Sequence, residues 1–108
     1  MRLDPAPFDE ISHGLKTIES RLNDEKRQQI KIGDTIEFYK RPECKEKVEV
    51  KVLELHKYGT IKECVEDLPV NCWGPRFKSK EQLLSASWHY SEDEIKKYGL
   101  LAIKIERI

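Results

Sequence analysis

Apolar and polar positions along this chain repeat with two different periods, and the changes of period divide it into elements. Phe8 and Ile11 stand at helical spacing ahead of Gly14, which predicts a short helix over Phe8 to His13 closed by a left-handed stop. From Thr17 to Leu22 the period shortens to two, with Ile18 and Leu22 on one side and Thr17, Glu19 and Arg21 on the other, as in a strand. The stretch Asn23 to Lys31 holds one apolar residue, Ile30, and reads as a solvated loop or frayed turn before the tight turn at Gly33-Asp34. Thr35 to Tyr39 alternates as a second strand, and the polar run Lys40 to Glu46, with Pro42, leads into a long third one, Lys47 to Tyr58. Val48, Val50 and Val52 share one face of it, but Leu53 and Leu55 fall on the other. A bulge near Val52 is therefore expected, which would re-aim the chain and curl the sheet.

Three helix starts follow from capping spacings. Thr60 with Glu63 precedes Ile61, Cys64, Val65 and Leu68 at helical intervals, ending before Pro69; Ser79 with Gln82 and Ser91 with Glu94 repeat the pattern, and Gly99 stops the last helix. Between the first two, Pro69 to Lys78 holds Cys72, Trp73, Gly74, Pro75 and Phe77, an irregular loop anchored by rings. Leu100 to Ile108 sets Leu101, Ile103 and Ile105 against Ala102, Lys104 and Glu106 as a closing strand. Strands interrupted by short helices without regular βαβ spacing predict an α+β barrel with short peripheral helices, not a doubly wound sheet.

The length of 108 residues fits one domain spanning 1–108. Its 20 basic and 20 acidic residues cancel, so attraction to a polyanion must come from a local concentration of Lys and Arg. That excludes a long non-specific duplex-binding surface. Cys44, Cys64 and Cys72 form no CxxC pair and His13, His56 and His89 are scattered, so neither a disulfide framework nor a metal site is written in the chain, and no cofactor is implied. No stretch approaches the roughly 20 apolar residues that cross a bilayer, and no apolar leader opens the chain, so a cytoplasmic location without a membrane partner is expected.

Ile11-Ser12-His13-Gly14-Leu15-Lys16-Thr17-Ile18-Glu19-Ser20-Arg21 resembles the GxKxxExR signature of the ASCH family. Ile32-Gly33-Asp34-Thr35-Ile36, Tyr58-Gly59-Thr60 and Tyr98-Gly99-Leu100-Leu101-Ala102-Ile103 resemble further family segments in the same order, covering nearly the whole chain. The resemblance implies a PUA-like mixed β-barrel, a cleft lined by the signature residues, and a role with RNA or nucleotides. Some members are amidohydrolases acting on an acylated cytidine, N4-acetylcytidine, and others are ribonucleases. The amidohydrolase members carry a Lys, a Thr three positions later and a distant Glu. Lys16 matches the first, Glu19 stands where the Thr would be, and the loop around Asn71 and Cys72 has no Glu.

On chemistry alone, Glu19 and Arg21 on one strand face form either an ion pair, contributing about 0 to 1 kcal/mol if exposed, or a shared ligand site; the resemblance favours the site. Arg21 suits bidentate contact with phosphate or carboxylate, and Lys16 a point charge. A desolvated Glu19 without a cation would gain general-base character; beside Lys16 or Arg21 it would orient them. In an enzyme, Lys16 and Glu19 would be catalytic. Tyr58 and Tyr90, at element boundaries, are the expected stacking partners for a base, with Trp73 and Trp88 as core or loop anchors. His89 is a minor acid-base candidate.

Overall fold

A computed structural model describes residues 1–86 and 88–108. Its five strands are β1 (Arg2–Leu3), β2 (Ile18–Leu22), β3 (Thr35–Lys40), β4 (Lys47–Tyr58) and β5 (Leu100–Arg107). Its helices are α1 (Pro5–Ser12), α2 (Ile61–Asp67), α3 (Lys80–Leu84) and α4 (Glu92–Tyr98), with 3₁₀ turns at Arg27–Gln29 and Val70–Trp73. The strands form one curled sheet in the order β1-β3-β4-β5-β2, antiparallel except for β1 against β3. The fold is the expected α+β arrangement around a mixed sheet, and its barrel is a half-barrel. Among the described residues no ladder joins β1 to β2; a side chain crosses the seam, Arg21 Nη2 donating to the Arg2 carbonyl at 2.9 Å.

Register explains which side chains face inward. Ile36 and Phe38 on β3 lie opposite Val50 and Val48, and Val52 lies opposite Ile105 on β5. These residues, with Leu101, Ile103 and Leu3, fill the inside of the curl, which Phe8 and Ile11 of α1 cover. The bulge expected near Val52 is present between Val52 and Glu54. Beyond it Leu55 and Lys57 pair with Ile103 and Leu101, so odd-numbered residues now face inward and His56 and Tyr58 face out, opposite Ala102 and Leu100.

On that outer face Ile18, Leu22, Leu100 and Ala102 pack against Cys64, Val65 and Leu68 of the α2 region, Leu83 of α3 and Ile95 of α4. The closing strand is thus covered on both faces, with Leu100 to Ile103 all buried, where simple alternation suggested one polar side. The helix starts fall where capping spacing placed them. Thr60, Ser79 and Ser91 each accept from the backbone N–H three residues on, and Ser91 with Glu94 completes a reciprocal box, each cap contributing about 1 kcal/mol. Thr17 lies just outside β2 and is held by two bonds, its N–H to Cys72 and its carbonyl to Ile105. Among the described residues, no helix is long and apolar enough to cross a membrane.

Candidate functional site

The seam between β1 and β2 opens into a cleft of about 830 Å³. Three features of local folding put charge there. Helix α1 ends at Ser12, Gly14 takes a positive φ of 73°, and the Glu10 carbonyl accepts from Leu15 N (2.8 Å) and Lys16 N (3.3 Å), so the chain is turned sharply into β2. Lys16 then lies at the base of the turn with only 5% of its side chain exposed. On β2, Glu19 and Arg21 stand opposite Ile103 and Leu101, on the inward face, but at the edge where the ladder stops.

Glu19 has a cation on each oxygen. Its Oε1 is 3.9 Å from Lys16 Nζ and its Oε2 accepts from Arg21 Nη2 at 3.1 Å. The ammonium of Lys16 lies 5.2 Å from the centroid of the Trp73 ring and makes no hydrogen bond among the described residues. Burial lowers the Lys16 pKa below the ordinary lysine value of 10.5; Glu19 and Glu10 oppose that shift, while Arg76 and Arg21 add to it. A buried amine destabilised as a cation and open to a cleft is a common property of functional sites.

Behind the cleft wall the buried Glu10 carboxylate accepts from Arg76 Nε at 2.8 Å. Gly74, at φ 105°, makes room for it, since a Cβ there would lie 2.5 Å from Glu10 Oε2. The cleft is lined by six basic side chains, Arg2, Lys16, Arg21, Arg27, Arg41 and Arg76, against two acidic ones, Asp4 and Glu19. Trp73, Phe77, Trp88 and Tyr90 supply rings on the same lining. Arg21 Nε and Trp73 Nε1 are buried polar atoms with no partner among the described residues. The arrangement can hold an anion and a flat apolar body together.

A family model described as the ASCH domain matches residues 1–108. The chain belongs to the ASCH domain family. Two solved chains resemble it along its whole length. The crystal structure of hypothetical protein PH0355 is 35% identical, with a TM-score of 0.78 and full coverage of both chains. The solution NMR structure of protein PF0455 from Pyrococcus furiosus is 32% identical, with a TM-score of 0.70, covering 100% of this chain and 98% of that one. No curated protein matches the chain.

Within this ASCH domain the three signature side chains, Lys16, Glu19 and Arg21, meet in one cleft, and Tyr90 and His89 line the same space. Tyr58 does not join them. The bulge in β4 turns it to the outer face, where its hydroxyl donates to Asp67 at 2.6 Å and burial, with that bond, raises its pKa. Trp73 and Trp88 both anchor and line: they pack edge to face, 5.7 Å between centroids, against the outer core, and border the cleft. The cysteines are free, and burial pushes the Cys64 thiol up to about 12. Glu10, Arg76, Arg2, Arg27 and Arg41 escaped the sequence reading. The Glu10 contact with Arg76 spans 66 residues and has no local signature; the arginines carried only a residue type to mark them.

Proposed function

We propose that the protein binds RNA or a nucleotide in the seam cleft. The observation that carries this reading is the concentration of six cations and four aromatic rings on one cleft in a chain whose formal net charge is zero. Arg21 presents its unused N–H edge to a phosphate, and Lys16, deeper, meets a phosphate oxygen or base carbonyl as a point charge. Glu19 orients both and accepts from an exocyclic amine. Tyr90, with Trp88 beside it, offers a face to the base.

A second reading draws on one observation, the buried Lys16 amine with a carboxylate 3.9 Å away. It is a hydrolase acting on a modified nucleoside such as N4-acetylcytidine, or a ribonuclease, with Lys16 and Glu19 at the reacting atoms. Glu19→Gln separates the two. In a binding module the amide keeps the shape and still accepts a hydrogen bond, so ligand affinity changes little. In a hydrolase the proton acceptor is lost and turnover vanishes with affinity intact. The binding reading expects no multiple turnover of either substrate by the unmodified protein; turnover abolished by Glu19→Gln in a protein with an unchanged circular dichroism spectrum would replace it with the second.

A further inference from the structure

Four of the five cleft arginines are already held from one side by a carboxylate. Arg21 is 3.1 Å from Glu19, Arg27 is 3.2 Å from Asp24, Arg41 is 3.5 Å from Asp4, and Arg76 is 2.8 Å from Glu10. A guanidinium has five N–H donors in a rigid fork, so each such contact restrains the side chain, least at the exposed Arg41, and leaves donors for a second acceptor. The atoms engaged are Nη2 of Arg21, Nη1 of Arg27 and Arg41, and Nε of Arg76, so each retains at least one terminal nitrogen outside its pair. Preorganised donors of this kind suit a compact oxyanion, because little side-chain freedom remains to be lost when it binds.

The same pairs set the charge of the site. Six cations against the four carboxylates Glu10, Asp4, Glu19 and Asp24 leave a surplus of two positive charges. Removing these ten residues from the chain's 20 basic and 20 acidic ones leaves 14 and 16, so the rest of the molecule is net negative. A polynucleotide adds a charge with every phosphate and gains only where cations continue along its path. Outside these ten residues the charge count is net negative, with the Met1 ammonium and Lys26 as further cations near Arg21 and Arg27, and a cleft of about 830 Å³ has the size of a small-molecule site.

We infer that the occupant is a single nucleotide bearing a phosphomonoester, the dianionic phosphate held by the carboxylate-braced arginines and the base placed against the ring-lined wall. The inference rests on the nucleotide reading of the cleft and narrows it. A phosphomonoester carries a charge of about −1.5 to −2 at neutral pH, the match for the surplus, whereas a phosphodiester within a strand carries about −1. The chemistry is shared by a free mononucleotide and by the phosphorylated end of an RNA.

Calorimetric titration of the full chain separates these cases. The ligands are the four common nucleoside 5′-monophosphates, their nucleosides, and a single-stranded RNA of about eight nucleotides with and without a 5′-phosphate. Each is titrated at about 50 and about 200 mM salt. The expected result is a monophosphate at least ten-fold tighter than its nucleoside, with a shallower slope of log affinity on log salt than a strand that neutralises several phosphates would show. If the 5′-phosphate strengthens RNA binding to the monophosphate's level, the source is an RNA end; if it adds nothing, the source is the free nucleotide. Arg21→Gln, Arg76→Gln and Arg41→Gln each reduce the advantage over nucleoside below ten-fold; because Arg76 holds the buried Glu10 whereas Arg41 and its partner Asp4 are both exposed, Arg41→Gln is the safer variant for folding. Equal affinity for nucleoside and monophosphate overturns the inference and leaves the nucleotide reading standing. So does an unphosphorylated RNA more than ten-fold tighter than the monophosphate with a steep salt slope. No binding of any of these ligands removes the nucleotide reading and the inference together.

Discussion

Along β3, β4 and the middle of β5 the inner face of the sheet is closed and apolar, whereas at the seam beside β2 the same face carries ions. Phe38, Val50, Val52 and Ile103 have no exposed surface, yet Glu19 and Arg21 are the direct cross-strand neighbours of Ile103 and Leu101. The difference lies in the ladder. Where strands pair on both sides, no water or ligand reaches the inner face, and an ion there would carry a desolvation cost of several kcal/mol. Where the ladder stops, the polar ends of Glu19 and Arg21 meet an open cleft and can be shared with a ligand. The half-barrel thus separates stability from recognition along a single sheet.

The largest expected effect tests the closed region. Phe38→Ala should lower unfolding stability by about 3–5 kcal/mol in urea titration, with affinity per folded molecule unchanged. A parallel loss of affinity would show that the two regions are not separable. Next comes Arg21→Ala at the seam, which should weaken nucleotide binding by about 2–5 kcal/mol in calorimetry, measured per folded molecule.

Lys16→Met should abolish binding, because the point charge at the base of the cleft is lost, while Glu19 keeps Arg21 as its partner. The pH dependence follows from the sign of the Lys16 shift. Because burial lowers its pKa in the folded protein, the unfolded chain holds more protons between that lowered value and 10.5. Wild-type stability therefore gains on the variant as pH rises through this window towards pH 10.5. Thermal unfolding of both proteins across alkaline pH checks this; a wild-type stability that falls relative to the variant as pH rises would contradict the placement of Lys16 as a buried amine.

The smallest effects compare two tyrosines. Tyr90→Ala should cost about 1–3 kcal/mol of base stacking in the same binding assay. Tyr58→Phe should leave affinity unchanged and lower stability by about 1 kcal/mol through loss of its bond to Asp67.

That last pair also shows what was legible in the chain. The bulge near Val52 could be read from the parity of Val48, Val50 and Val52 against Leu53 and Leu55, because alternation is local. Its consequence for Tyr58 could not, since which face follows a bulge depends on register with β5, more than 40 residues away. Lys16, Glu19 and Arg21 were legible as a group because one turn and one strand place all three. Their setting was not: Arg76 reaches the site through Glu10 across 66 residues, and Arg2 and Arg41 reach it through the parallel pairing of β1 with β3. Trp73 was read as an anchor, and only the tertiary structure shows one of its sides beneath the Lys16 ammonium.

The most direct test of the seam as the binding site is a nitrogen-proton correlation NMR titration of the labelled protein with the nucleoside 5′-monophosphates. Shifts should concentrate in residues 2–7, 16–21, 73–77, 83–86 and 88–90, in the segments that wall the cleft, and leave the exposed outer faces of β3 and the first half of β4 unmoved. Shifts confined to those outer faces, or saturating binding with no change at Lys16, Glu19 and Arg21, would contradict the account.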